Sequence, residues 1–460
     1  MEYVLPDLHH EEEAIRQDRK DNIFLHKEER AMFGFKKQRV LRPGVIGKTT
    51  SYMMAVPRDV ESIKNPMEII GRLKSSRLFE TDQAELGENG IEAVIRYKEE
   101  TRRVEILAET YGIGPLYTVN HHLSEEDYRI ITQSDTGVTV AMTFGEDVLT
   151  SYHLQLKILD TIVPDMAGAI DFCTERVLSG VWVRLAAQTT IQPSPDYLYA
   201  VQAVSGANGE VWLHTHGLNR CGAIEVEILN SDTENYQNHS SILQTLAKRI
   251  ISDHTFIEEE DAFWVGQTSN GGYIVATWIS YKEALKGCRR DMLGGLDDRQ
   301  EAHNKNTGVV YVYLDEEDFE KKKYRHISAL NEAIADNMLV MYSDEETQRM
   351  RALAKERLHY FTEAIKQEEI EGLMKIGLAV DEEYRDDNNS REHIWFHVKE
   401  VNGMEAQAVL TQEPYYIKNL HEDTQMEIDL NDLTDWILYT PDGAITPDSV
   451  YLLEKDGGTP

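Results

Sequence analysis

The alternation between Glu392 and Val398 constrains this chain more than any other feature. Ile394, Phe396 and Val398 fall on one side of an extended segment, and His393, Trp395 and His397 fall on the other. With its β-branched and aromatic content, that pattern predicts a central strand with apolar residues on both faces. Asn402-Gly403 follows, and both residues tolerate the positive φ of a tight turn, so Ala406 to Leu410 is expected to return beside the first strand, stopped by Pro414. Met426 to Leu430 alternates as a half-buried strand, and Asp435-Trp436 opens a short segment that closes at the Pro441-Asp442-Gly443 turn. Ahead of these strands, Ser343 to Glu346 has the form of a capping box. Met350, Ala354, Leu358, Phe361 and Ile365 then recur at helical spacing, with Lys355, Glu356 and Lys366 on the opposite side. A helix and several strands sharing one apolar side predict a small, separable α+β domain over 343–460.

Glu392-His393-Ile394-Trp395, Leu410 with Pro414, Asp435-Trp436 and the closing Tyr451-Leu452-Leu453 form an E-H-x-W, L-x-x-x-P, D-W series. In this order the motifs resemble the YegJ-like bacterial domain of unknown function, over about the last quarter of the chain. Ala408 stands where that family often has glycine, and Glu422-Asp423 stands where a Gly-Asp turn is usual. The resemblance implies no catalytic residue. Trp395 and Trp436 are expected to fill the core of the domain; Glu392 and His393 are its candidate polar site, and Asp435 is a further candidate binding residue.

The rest of the chain divides by composition into a polar arm over 1–45, an α+β domain over 46–123, a second α+β domain over 124–315 and a helical connector over 316–342. In the arm, His9-His10 precedes Glu11 to Glu13. Adjacent side chains on a helix point apart, so a solvated tail is favoured there over a metal site. In the next region Ser51 to Val56 reads as a strand. Asn65-Pro66 with Glu68 supplies an N-cap, a helix-starting proline and a box glutamate. Ile91 to Tyr97 and Val104 to Leu107 read as a hairpin. In the following region Val138 to Phe144 reads as a strand, Leu154 to Ile162 is ambiguous between helix and strand, and Ala169 to Arg176 and Trp182 to Ala187 read as strand then helix. Tyr197 to Ala203 is expected to pair with Val211 to His216, and Ile242 to Ile251 forms an amphipathic helix. Phe263 to Val265 pairs with Tyr273 to Ile279 through Asn270-Gly271-Gly272, and Asp291 to Asn306 is a loop. The expected fold class is therefore α+β and multidomain, with mixed, mainly antiparallel sheets and packed helices.

Trp212-Leu-His-Thr-His-Gly-Leu218, followed by Glu225-Val-Glu-Ile228, is the most motif-like stretch. In paired strands His214 and His216 share a face, as do Glu225 and Glu227, so two imidazoles and two carboxylates could converge in the manner of a zinc or non-haem iron site. The competing reading is architectural. A turn-Gly-Leu element before an E-x-E-I strand loosely resembles bacterial suppressor-of-fused-like and related immunity-type domains, where that element shapes the fold, and this is the favoured reading.

With 47 basic against 81 acidic side chains, the chain carries a formal net charge of -34. A field of that sign repels phosphate backbones and anionic lipid, and it attracts a basic protein partner. The absence of a long apolar run and of a signal-peptide pattern at Met1 leads to the expectation of a soluble, cytoplasmic protein. Cys173, Cys221 and Cys288 are scattered, as reduced thiols are. Gly44-Val-Ile-Gly47-Lys48-Thr49 has only the tail of a phosphate loop, and no other cofactor motif is present, so no cofactor is expected. Two functional classes remain. The favoured one is a non-enzymatic binding, regulatory or immunity-type protein for a basic protein partner. The alternative is a metal-dependent hydrolase or oxygenase using His214 and His216.

Overall fold

Ser51 to Val56 forms strand β1 (Thr50–Pro57), buried on both faces from Met53 onward: Met53 and Ala55 enter the main core, while Met54 and Val56 enter a second cluster behind the sheet. The structure, a computed structural model, describes residues 47–114, 117–119, 121–252, 258–268, 272–286, 288–299, 307–334, 338–340, 344–385 and 390–454. The polar arm over 1–45 with His9 and His10, Ser343 of the capping box and the Asn270-Gly271 turn lie outside these residues.

Around β1 grows an eight-stranded sheet, with β2 (Glu80–Leu86), β3 (Ile91–Tyr97), β4 (Glu100–Thr110), β5 (Thr118–Val119), β6 (Thr136–Thr143), β7 (Met166–Asp171) and β8 (Arg176–Ser179), in the order β2-β3-β4-β6-β1-β7-β8-β5. Helix α1 (Pro66–Ser75) starts as its sequence requires: the Asn65 side chain accepts the Met67 amide at 3.1 Å and donates to Glu68 at 3.0 Å. Helix α2 (Glu125–Gln133) sends Ile131 into the cluster behind the sheet. The ambiguous stretch before Ile162 is helix α3 (Val148–Ile162), capped by the Asp147 carboxylate on the Thr150 amide at 2.9 Å. It is buried on nearly every side, so it carries no amphipathic stripe. Two of its buried polar side chains are satisfied internally: Gln155 donates to the Ser51 and Val140 carbonyls at 3.1 and 2.8 Å, and Lys157 to the Thr189 carbonyl at 2.8 Å. Helix α4 (Gly180–Gln188) completes this layer.

The division expected at 123/124 therefore falls inside one sheet. Strand β6 hydrogen-bonds to β1 on one side and β4 on the other, with Met53 opposite Val140 and Val104 opposite Met142. Such pairing joins segments distant in sequence and leaves no local mark, so composition alone placed the division too early.

The second sheet has seven strands: β9 (Ala200–Ser205), β10 (Glu210–His216), β11 (Glu225–Asp232), β12 (Phe263–Thr268), β13 (Tyr273–Ser280), β14 (Thr307–Tyr313) and β15 (Met338–Val340), ordered β15-β12-β13-β14-β11-β10-β9. Among the described residues, only β11 and β14 run parallel within it; β5 and β8 are the parallel pair of the first sheet. Helix α5 (Tyr236–Ser252) packs Ile242, Leu243, Leu246, Ile250 and Ile251 beneath the second sheet. The connector over 316–342 is not purely helical, because β15 pairs with β12.

The third sheet is antiparallel throughout. Its strands β16 (Glu371–Ala379), β17 (Arg391–Asn402), β18 (Glu405–Leu410), β19 (Gln425–Asp429), β20 (Leu433–Thr440) and β21 (Gly443–Ile445) are ordered β19-β18-β17-β16-β20-β21, so the Glu392 to Val398 strand is central. The hairpin forms at Asn402, but Asn402 pairs with Glu405 and the two turn residues are Gly403 and Met404. Gly403, at φ +67°, occupies the first central position, where a tight hairpin turn favours glycine. The single helix expected before the sheet is two, α6 (Asp344–Glu356) and α7 (Leu358–Ala364). They part at Arg357, whose backbone leaves helical geometry while its buried guanidinium donates to the Pro447 carbonyl at 2.6 Å.

This third domain seats on α4. Leu185 packs against its core, the Tyr451 ring lies 5.0 Å from that of His121, and Arg184 pairs with Glu454 at 2.6 Å. Burial holds the His121 imidazole down at about 3, so this ring contact is made by a neutral side chain. Among the described residues, no helix is long and apolar enough to cross a membrane.

Candidate functional site

Strand β10 alternates, so Trp212, His214 and His216 project to one side. Their rings form a ladder, with centroids 4.3 Å apart between Trp212 and His214 and 4.8 Å apart between His214 and His216. Antiparallel pairing sets Glu227 directly opposite His214. That much of the expected convergence is present.

The carboxylates, however, serve other partners. Glu227, fully buried, accepts the Trp212 indole N–H at 2.8 Å and pairs with Arg299 at 2.8 Å. Burial raises its pKa, and Arg299 opposes that rise. The Arg299 guanidinium also lies 4.7 Å from the Tyr281 ring. Glu225 accepts the Thr215 hydroxyl at 2.7 Å and the amides of Gly217 and Asn219 at 2.9 and 3.0 Å, which ties down the loop after β10. Gly217 adopts φ +106°, and a Cβ there would meet the Leu198 carbonyl at 2.4 Å, so this tight loop requires glycine. Among the described residues, no group of three or more His, Cys, Asp or Glu is arranged to hold a metal ion. The expected convergence of two imidazoles and two carboxylates on a metal is thus corrected: Glu225 lines the same cleft as the imidazoles and Glu227 stands across from His214, but both carboxylates are committed to a loop, an indole and an arginine.

The histidines open onto a cleft of about 470 Å³ between the first and second domains. Phe172 and Glu175 come from the β7–β8 turn, Gln202 from β9, and Asp298 from the loop described over 288–299. Glu175 adopts φ +54°, a left-handed conformation that a non-glycine residue rarely takes, and the Gln202 amide donates to its carboxylate at 2.5 Å. The loop bearing Asp298 rests on Trp212: Gly294, at φ +72°, lies so close that a Cβ would come within 2.9 Å of the indole. Asp298 itself accepts the Gly294 amide at 2.9 Å.

The floor of the cleft is the joint between the two domains. Arg220, from the loop after β10, is fully buried and makes two bonds to Asp171 of β7, at 3.0 and 2.8 Å. It also donates to the Ser51 hydroxyl at 3.2 Å and the Leu198 carbonyl at 3.0 Å, and it lies 5.2 Å from the Tyr152 ring. Burial pushes the nearby Cys221 thiol up to about 12 and raises that of Cys173, so neither is a thiolate nucleophile at neutral pH.

The C-terminal candidates form a separate set. Glu392, fully buried, accepts the amides of Tyr415 and Tyr416, both at 2.9 Å, and so holds the loop after β18. Trp436 is the centre of the third core, its indole donating to the Ala354 carbonyl at 2.9 Å and its ring 5.6 Å from Phe361. Trp395 differs from the expectation: it lies half-buried on the outer face of the sheet, with the Lys375 ammonium 5.5 Å from its ring. His393 shares that face, its Nδ1 3.4 Å from the Thr434 hydroxyl. Asp435 sits opposite Lys375, and burial raises its carboxyl to about 6. The candidates on β10 and β11 and those on β17 and β20 belong to different domains and make no common site. Glu175, Gln202 and Asp298 escaped the sequence reading because none sits in a motif; the Gly- and Asp-rich composition around Asp298 marked only a loop.

Comparison with known families places domains of unknown function along the chain. Residues 51–193 match the family model described as Protein of unknown function (DUF4026) N-terminal, and 199–311 match its C-terminal counterpart. Residues 344–449 match DUF2314, described as an uncharacterized protein conserved in bacteria. The chain thus carries the two DUF4026 domains followed by a DUF2314 domain, and these matches follow the three sheets. No curated protein and no solved structure matches it.

Proposed function

We propose that this chain is a non-catalytic binding protein whose cleft between the two DUF4026 domains receives a cationic side chain of a basic protein partner. The observation that carries this reading is the presence of two carboxylates from different domains, Glu175 and Asp298, beside the rings of His214 and His216 in one cleft. The formal charge of -34 acts in the same direction by drawing a cationic partner toward the surface. The cleft is of a size that suits side-chain or small-ligand binding. The loose resemblance of the β10–β11 stretch to suppressor-of-fused-like and immunity-type domains fits a masking or regulatory role. Metal-dependent hydrolysis or oxygenation gains nothing from the geometry, since Glu225 and Glu227 are engaged elsewhere.

Long-range steering gives this reading a kinetic signature. From about 50 mM to 500 mM salt the Debye length shrinks from roughly 14 Å to roughly 4 Å. The association rate with a basic protein recovered on the immobilised chain from its native host is expected to fall at least about tenfold over that range, with a much smaller change in dissociation. Stopped-flow mixing measures both, and an association rate indifferent to salt would refute the steering.

A further inference from the structure

Resting on that reading, we infer that the cleft selects arginine over lysine. The protein itself houses arginine twice by one arrangement, a guanidinium between aromatic rings and a carboxylate. Arg220 lies 5.2 Å from the Tyr152 ring and 5.7 Å from that of Phe144 while bonding Asp171 through two nitrogens. Arg299 lies 4.7 Å from the Tyr281 ring while paired with Glu227 at 2.8 Å. The cleft repeats these elements on a surface open to solvent. His216 and Phe172 supply rings, and Glu175 and Asp298 supply carboxylates.

The geometry distinguishes the two cations. A guanidinium is planar and weakly hydrated, so it stacks on rings and donates from several N–H groups at once, whereas an ammonium is a compact and strongly hydrated charge. The Gln202 amide holds one Glu175 oxygen at 2.5 Å, which fixes the plane of that carboxylate before any ligand arrives. Lysine gains the charge attraction here and little of the stacking. Arginine gains both.

The test uses hexa-arginine and hexa-lysine peptides with the full chain at fixed moderate salt, read by fluorescence anisotropy of the labelled peptides. The arginine peptide is expected to bind at least about tenfold more tightly. The double substitution Glu175→Gln with Asp298→Asn should reduce that preference below about threefold while leaving the thermal melt in place, because Asp298 is exposed and Glu175 only half-buried. Equal affinities for the two peptides, both weakened by the substitutions, would overturn arginine selection and leave the cationic cleft standing. Affinities that ignore the substitutions would overturn both.

Discussion

Arg220→Ala destabilises the paired DUF4026 domains by about 3–5 kcal/mol, the expected consequence of leaving Asp171 charged and unpaired in a dry interior. Both side chains are essentially inaccessible, and the guanidinium also serves the Ser51 hydroxyl and the Leu198 carbonyl, so several polar groups lose their partner together. Asp171→Ala is expected to cost a similar amount for the mirror-image reason. The pair itself is worth much less than either single loss, because both ions had to be desolvated to form it. A combined Arg220→Met and Asp171→Leu chain should therefore be more stable than Arg220→Ala alone. Urea unfolding of the fragment carrying the first two domains, followed by circular dichroism, compares the variants. Strictly additive losses would show that the ion pair is not the joint described here.

The second large effect concerns the DUF2314 domain. Its core is distinct from that of the first two domains and is centred on Trp436. Truncating a fully buried tryptophan removes its packing and leaves a cavity, at about 3–5 kcal/mol. In Trp436→Ala the Ala354 carbonyl also loses its indole donor. Since a small domain is stable by about 5–15 kcal/mol, this one change removes a large share. A fragment over 344–454 is expected to melt cooperatively on its own. The Trp436→Ala fragment should melt far lower, and Trp395→Ala should shift the melt much less, because Trp395 sits half-buried outside that core. Equal shifts for the two would contradict the assignment of faces.

What the sequence revealed depended on whether the signal was local. The Asn65 cap, the β17–β18 hairpin at Gly403 and the alternation of Trp212, His214 and His216 are each set within a few residues, and each was legible. Helix α3 hid because an element enclosed on every side has no polar stripe to set its period. Strand β2 went unread for the opposite reason: along Glu80–Leu86 only Ala84 is buried, so an edge strand passes for a polar loop. At the site, shared facing told which side chains project together but not which neighbours reach them. Glu225 turns to the Gly217 loop and Glu227 to Arg299, partners set by tertiary folding. Glu175 was invisible because its role follows from a left-handed turn and a bond to Gln202 on another sheet.

The central claim is that a cationic partner binds in the cleft between the DUF4026 domains and is not merely attracted to the acidic surface at large. Amide hydrogen exchange, with and without the hexa-arginine peptide, locates binding without a named partner. Protection is expected in the turn over 172–176, in β9 around Gln202 and in the stretch from His214 to Asn219, with no comparable change around Glu258 to Asp261 or Asp315 to Asp318. Protection confined to those two acidic clusters, with the cleft unchanged, would contradict the claim.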